Sequence, residues 1–308
     1  MKSSIRVFSE LSRIKTSVKS SLTLLMMMAK KKPLILQGTS LEEQSVYNFM
    51  RSLLPNKTIV KNDRNILKGK ELDIYIPSKR LAIEFNGLYW HSSNMKDDPF
   101  YHINKTIEAE KAGVRLISIM SDEWELKKPI VQDILKKSIG VYETVDKDSC
   151  EVLEISFREG EAFLQNNSLD PVLNSKKYFA IRFSNETVAV ASFSNTENNW
   201  IMTNYCERKG YVVRDGVKAI LKVFNKKYNK AKLPVTASCD RRYFRGVEFL
   251  EAGFTEATPT GPAFTITRNF KKRLKFKESK QLKEADLQKK GFFKVYDCGR
   301  RRFVLNLK

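Results

Sequence analysis

Histidine is almost absent from this chain. Only His91 and His102 occur in 308 residues, so any imidazole chemistry must be drawn from one short stretch. Cysteine is sparse as well. Cys150, Cys206, Cys239 and Cys298 lie far apart with no CxxC pair, which excludes zinc-finger spacing and reads as reduced thiols of a cytosolic compartment. No run approaches the roughly 18–20 apolar residues that a membrane span needs. Acid is in short supply: 35 Asp+Glu stand against 56 Lys+Arg, a formal charge of +21. That excess does not choose a fold. It does select polyanions as partners, nucleic acid first and an anionic membrane surface second.

Acid is scarcest at the start. Residues 1–33 are basic, with a short apolar patch from Leu22 to Met28. Ala29-Lys30-Lys31-Lys32-Pro33 follows where a secretory signal would carry a small-residue cleavage site. The stretch therefore reads as a basic arm and the location as cytoplasmic.

The richest stretch runs from Glu71 to His91, ELDIYIPSKRLAIEFNGLYWH. Leu72, Ile74 and Ile76 alternate around Asp73 in one expected strand. Pro77-Ser78-Lys79-Arg80 is turn chemistry. Leu81 to Phe85 is a second strand with Glu84 inside an apolar run. A carboxylate in such a run costs several kcal/mol, on the order of an unpaired buried charge, unless it is paired or ligates a metal. Two carboxylates on adjacent strands can converge as a hard divalent cation requires. The plainer reading puts each on a solvent-facing edge. His91 ends the stretch, and His102 lies close by in sequence. Lys105 sits one helical turn beyond His102, on the same face, where it could neutralise a phosphate.

Ser40 to Leu53 reads as an amphipathic helix, with Ser40 and Glu43 at capping-box spacing. Thr58–Val60 is a short strand and Asp63-Arg64-Asn65 a turn. Phe100–Gly113 is a helix, Val114–Ile119 a buried strand and Leu126–Ile139 a helix. The pattern breaks at 140–149, which marks a domain boundary. Beyond it come a strand (151–157), a helix (159–167), strands at 177–183, 187–194 and 200–206, a helix (214–228), a strand (235–238) and the run Cys239-Asp240-Arg241-Arg242-Tyr243-Phe244-Arg245-Gly246. From Arg268 to the end there are fifteen Lys/Arg against four Asp/Glu. Such density suits a phosphate backbone.

ELDIYIP, LAIEFNGLYWHSS and YHINKTIEAEKAGVRLISIMSDEW together resemble the EDxHD, very-short-patch-repair-like branch of the PD-(D/E)xK nucleases, and within it phage free-standing homing endonucleases. The second half is similar in element order to a GNAT-type acyltransferase. CDRRYFRGVEFLEAGF and GFFKVYDCG resemble signatures of the same endonucleases. The expectation is an α+β chain: a basic arm (1–33), a nuclease core of mixed sheet flanked by helices (34–145), a GNAT-like domain (150–268) and a basic tail (269–308). The resemblance implies a Mg²⁺- or Mn²⁺-dependent endonuclease acting on double-stranded DNA in an infected bacterial host. Asp73 and Glu84 would be the metal ligands and His91 the general base or acid. Glu43 would hold a metal-bound water or orient His91, with His102 and Lys105 as further site residues. Asn86 stands where most PD-(D/E)xK enzymes carry a lysine. Arg241, Arg242, Arg245, Lys271, Lys272, Arg273, Arg300 and Arg301 would hold DNA. No small-molecule cofactor is expected, because Val213-Arg214-Asp215-Gly216-Val217 has one glycine where GNAT enzymes have a Gly-rich, pyrophosphate-cradling turn. The alternatives are a mismatch-nicking enzyme, a GNAT-fold DNA-modifying enzyme, and a non-catalytic nucleic-acid-binding protein.

Overall fold

The computed structural model describes residues 40–95, 97–278 and 280–307; the arm expected at 1–33 lies outside them. Helix α1 (Leu41–Leu53) begins at Ser40, whose Oγ accepts the Glu43 N–H at 3.0 Å. Strands β1 (Val60–Leu67), β2 (Lys70–Ile76), β3 (Leu81–Asn86) and β4 (Arg115–Met120) form one sheet in that order. The first three are antiparallel. β3 and β4 are parallel, a pairing that requires a crossover, supplied by α2 (Tyr101–Lys111). All six residues of β3 are buried. Leu81, Ile83 and Phe85 each contribute roughly 1.5–3 kcal/mol by that burial, which offsets the cost of carrying Glu84 inside.

One expectation here fails. Asp63-Arg64-Asn65 is not a turn but the bulged middle of β1. The Asp63 carboxylate accepts the N–H groups of Asn65 (3.1 Å) and Ile66 (3.0 Å), so the local bonding that favours turns is satisfied within a strand. The turn falls at Lys68 and Gly69, both at positive φ.

Helices α3 (Ser121–Leu126) and α4 (Lys128–Ile139) follow β4. In α4, Ile130, Val131, Ile134 and Leu135 recur at helical spacing and are buried, and Gly140 at φ 91 closes the helix. β5 (Glu143–Asp146) then pairs in parallel with β10 (Tyr211–Arg214).

The remaining elements are β6 (Glu151–Ile155), α5 (Phe157–Asn167), β7 (Lys177–Phe183), β8 (Glu186–Asn195), β9 (Trp200–Glu207), α6 (Gly216–Tyr228), β11 (Val235–Asp240), α7 (Val247–Glu251), β12 (Thr255–Ala257), β13 (Phe264–Thr267), β14 (Phe293–Tyr296) and β15 (Arg300–Leu305). Seven of these strands form a sheet of order β12-β15-β11-β9-β8-β7-β6. β11 and β9 are its one parallel pair. They bond only from Val235/Trp200 to Ala237/Met202, although both strands continue further. Val217, Ile220, Leu221 and Phe224 of α6 pack on this sheet with Phe179, Phe193 and Phe303. The chain end is thus not a separate tail: β15 lies between β12 and β11, and the basic segment is an insertion ahead of it. The β13–β14 pair flanks that insertion. Among the described residues no helix is long and apolar enough to cross a membrane.

Candidate functional site

The two expected carboxylates do meet. Beyond Ile74/Ile83 the β2–β3 ladder stops, and Asp73 replaces it: Oδ2 accepts the Phe85 N–H at 2.8 Å. β2 is an interior strand, so neither acid lies on a solvent-facing edge. Glu84 is 5% exposed. Its Oε1 accepts a hydrogen bond from Lys105 Nζ, delivered by α2, and Lys105 is equally buried. Burial raises Glu84, and Asp73 beside it raises it further, to about 8. Asp73 is raised to about 6, by burial first, against the Phe85 N–H and Lys105. Burial opposes the charge on Lys105, but Glu84 outweighs it and Lys105 is pushed up. One ammonium cannot balance two carboxylates, so burial and mutual repulsion favour the protonated form of one of them.

On the same strand as Glu84, Asn86 Nδ2 donates to Ser118 Oγ at 2.7 Å. The ring centroids of His91 and His102 lie 5.1 Å apart, and Tyr101 packs 5.2 Å from His102. Glu43 occupies the first turn of α1, where its backbone N–H is capped by Ser40.

This donor set does not fit the expected Mg²⁺ or Mn²⁺. Among the described residues no three His, Cys, Asp or Glu side chains are grouped to hold a metal. Even a mostly hydrated Mg²⁺ needs carboxylate oxygens turned towards it. Here a lysine ammonium supplies the charge partner of Glu84, and a backbone N–H takes an oxygen of Asp73. The metal expectation is corrected accordingly.

The arginines expected on DNA turn mostly inward. Arg242 is buried and bonds Asp240 (2.7 Å) and Glu123 (2.9 Å). Arg273 joins Asp122 (2.9 Å) and Glu123 (2.6 Å). Arg241 and Arg301 share Glu110 at 2.6 Å each, and Arg300 grips Asp170 at 2.8 Å. Arg245, Lys271 and Lys272 are exposed. The acidic partners of this network, Glu110, Asp122 and Glu123, were not singled out from the sequence. Their only signal was an acid beside a buried strand or helix start.

The turn ahead of α6 is also occupied by the protein's own groups. Residues 211–214 pair with β5. The Val213 N–H donates to Glu207 Oε1 at 2.9 Å. Arg214 meets Asp146 at 3.0 Å and Lys147 meets Asp215 at 3.4 Å. Carboxylates therefore crowd the turn that in a GNAT enzyme would receive a pyrophosphate.

No protein-family model and no curated protein sequence matches the chain. It is similar to three solved structures that serve as reference points. One is the ribosomal-protein-S18-alanine N-acetyltransferase of Escherichia coli, at 14% identity and a TM-score of 0.32, covering 52% of this chain and 94% of that one. Another is a Bacillus subtilis acetyltransferase in complex with CoA, at 13% and 0.33, covering 52% and 98%. The third is a GNAT family acetyltransferase of Elizabethkingia anophelis with acetyl-CoA bound, at 12% and 0.30, covering 52% and 99%. Such scores leave the weight on the strand order itself, which gives a mixed α+β chain with a GNAT-like domain over about half its length. These neighbours are acetyltransferases, not nucleases. The expectation of a metal-dependent DNA endonuclease is corrected on the donor set, which groups no metal ligands among the described residues.

Proposed function

We propose that the protein binds double-stranded DNA without cutting it, using the GNAT-like domain as a scaffold. The observation that carries this is the segment 270–277. Phe270 stacks on Phe293 (5.2 Å), Arg273 is tied to Asp122 and Glu123, and Phe276 stacks on Phe264 (5.4 Å). Leu274 also exchanges backbone bonds with Ile266. Along this segment Lys271, Lys272, Lys275 and Lys277 are exposed, and among the described residues none has an ion-pair partner. A pinned backbone that presents four ammonium groups to solvent spares the backbone-ordering cost of meeting phosphates. Duplex DNA, with one charge per roughly 1.7 Å of axis, is the polyanion that rewards such a row.

The test is fluorescence anisotropy of a labelled duplex between roughly 50 and 200 mM salt, where affinity is expected to fall steeply. Affinity that ignores salt, or no saturable binding, sinks the reading. A second reading, acyl transfer, draws on the splayed β9–β11 pair. Its arm of the experiment is a CoA titration. The filled turn ahead of α6 predicts no saturable CoA binding, and a clear isotherm would move the function to that turn.

A further inference from the structure

A shallow cleft lies where Arg115, at the start of β4, meets the turn that carries Arg241, Tyr243 and Arg245. Its charge is unbalanced. Glu110 is the one acid in its lining, and both Glu110 oxygens are held by Arg241 and Arg301. Arg115 has no carboxylate partner among the described residues; its Nη2 donates to the Tyr243 carbonyl at 2.6 Å. Arg245 is exposed and also without an ion pair among the described residues. Burial first, and Arg245 second, push Arg115 down to about 10. Glu248, the acid whose field reaches Arg115, does not line the cleft and is itself pushed up to about 7 by burial. Arg241, Arg242, Arg273, Arg300 and Arg301 each hold a carboxylate. Arg115 and Arg245 do not, and planar guanidinium forks suit tetrahedral oxyanions.

We propose that this cleft binds a phosphate group, held by Arg115 and Arg245 with Arg241 forming the wall. The two guanidiniums meet a single phosphoryl group at the mouth of the cleft, not the groove of a duplex. Its source is either a phosphodiester of bound nucleic acid or a free phosphate ester, and only the first rests on the function proposed above.

The experiment is calorimetric titration with inorganic phosphate, on wild type, Arg245→Gln, Arg115→Gln and a variant with Lys271, Lys272, Lys275 and Lys277 all changed to Gln. Saturable binding is expected in wild type and in the lysine variant, weakened at least about tenfold in Arg245→Gln, which removes one charge-assisted hydrogen-bonding group. Arg115→Gln should match it; Arg245 is exposed, so its variant keeps the test valid if Arg115→Gln does not fold. Equal phosphate affinity in wild type and Arg245→Gln, or none in wild type, overturns the proposal. Duplex affinity then assigns the source. If Arg245→Gln loses it along with phosphate binding, the group is a DNA phosphate. If duplex affinity is unchanged, the ligand is a free phosphate ester. Failure of the DNA reading appears instead in the lysine variant, so the two are separable.

Discussion

Two sets of positive charge in this molecule look alike in sequence and do opposite things. Arg241, Arg242, Arg273, Arg300 and Arg301 each hold a carboxylate, and Arg242 and Arg273 converge on the same buried Glu123. Lys271, Lys272, Lys275 and Lys277 face solvent. Arg273 stands in the middle of the lysine run, so neighbouring positions in one basic stretch serve opposite ends. The difference is chemical. A guanidinium fork matches a carboxylate with two donors and tolerates partial burial, whereas an ammonium is strongly hydrated and stays wet. In a dense basic run, the arginines are the better candidates for structure and the lysines for a polyanion.

The inner set breaks hardest. Glu123 accepts from Arg242 Nη1 (3.0 Å) and Nη2 (2.9 Å), from Arg273 Nη2 (2.6 Å) and from the Tyr243 hydroxyl (2.5 Å). Arg242→Met leaves both Glu123 and Asp240 short of a partner, and stability should drop by about 3–5 kcal/mol, read as a shifted urea midpoint. The pH course adds a check. Burial opposes the charge on Glu123, but Arg242 and Arg273 outweigh it and hold its carboxyl well below the usual range of 4.5. The stabilisation is therefore full above pH 4.5 and is lost as pH falls. The gap between wild type and variant should narrow in acid; a gap that widens there contradicts the assignment.

A smaller loss is expected from the backbone that aims this turn. Gly246 sits at φ 71 ahead of α7, and an added Cβ would run into the Phe303 ring. Gly246→Ala should cost about 1–3 kcal/mol by overpacking alone, measured by the same melts. An unchanged midpoint would mean that Phe303 moves freely.

The carboxylate cluster predicts a slope more than a loss. Glu84 is raised in the native state from 4.5 to about 8, so its contribution is fullest below pH 4.5 and falls as pH climbs towards 8. Glu84→Gln cannot titrate. Between roughly pH 5 and 8 its stability should decline less steeply than wild type, by up to about 1.4 kcal/mol per pH unit for one proton. Parallel curves would show that Glu84 is ionised throughout.

Much of this was legible in the sequence, and the failures have physical causes. The second half could be read because its elements carry local signals: α6 repeats Val217, Ile220, Leu221 and Phe224, and β7 and β8 have apolar middles. The convergence of Asp73 and Glu84 was legible too, since two strands joined by Pro77–Arg80 must pair. Their chemistry was not, because Lys105 closes on Glu84 only through the fold of α2 over the sheet. Asp63 misled for a related reason, its side chain supplying turn-like bonds inside a strand. The place of β15 between β12 and β11, and the partners of the arginines, join residues far apart in sequence. No periodicity reports them.

The outer set should barely move stability, and that is where the comparison is sharpest. Lys271, Lys272, Lys275 and Lys277 make no ion pair among the described residues, so changing all four to Gln should shift unfolding by less than about 0.5 kcal/mol per site. Duplex binding should respond strongly. Each phosphate that is no longer neutralised lowers the slope of log affinity against log salt by about 0.9, so up to roughly 3–4 units of slope should disappear. The anchors Phe270, Arg273 and Phe276 stay in place in this variant, so the segment keeps its path and only its charge is removed. A variant that unfolds would show that these lysines are structural like the arginines beside them. A variant with unaltered stability and an unaltered salt slope would move the DNA-binding surface away from this segment, even though the chain's net charge still favours a polyanion.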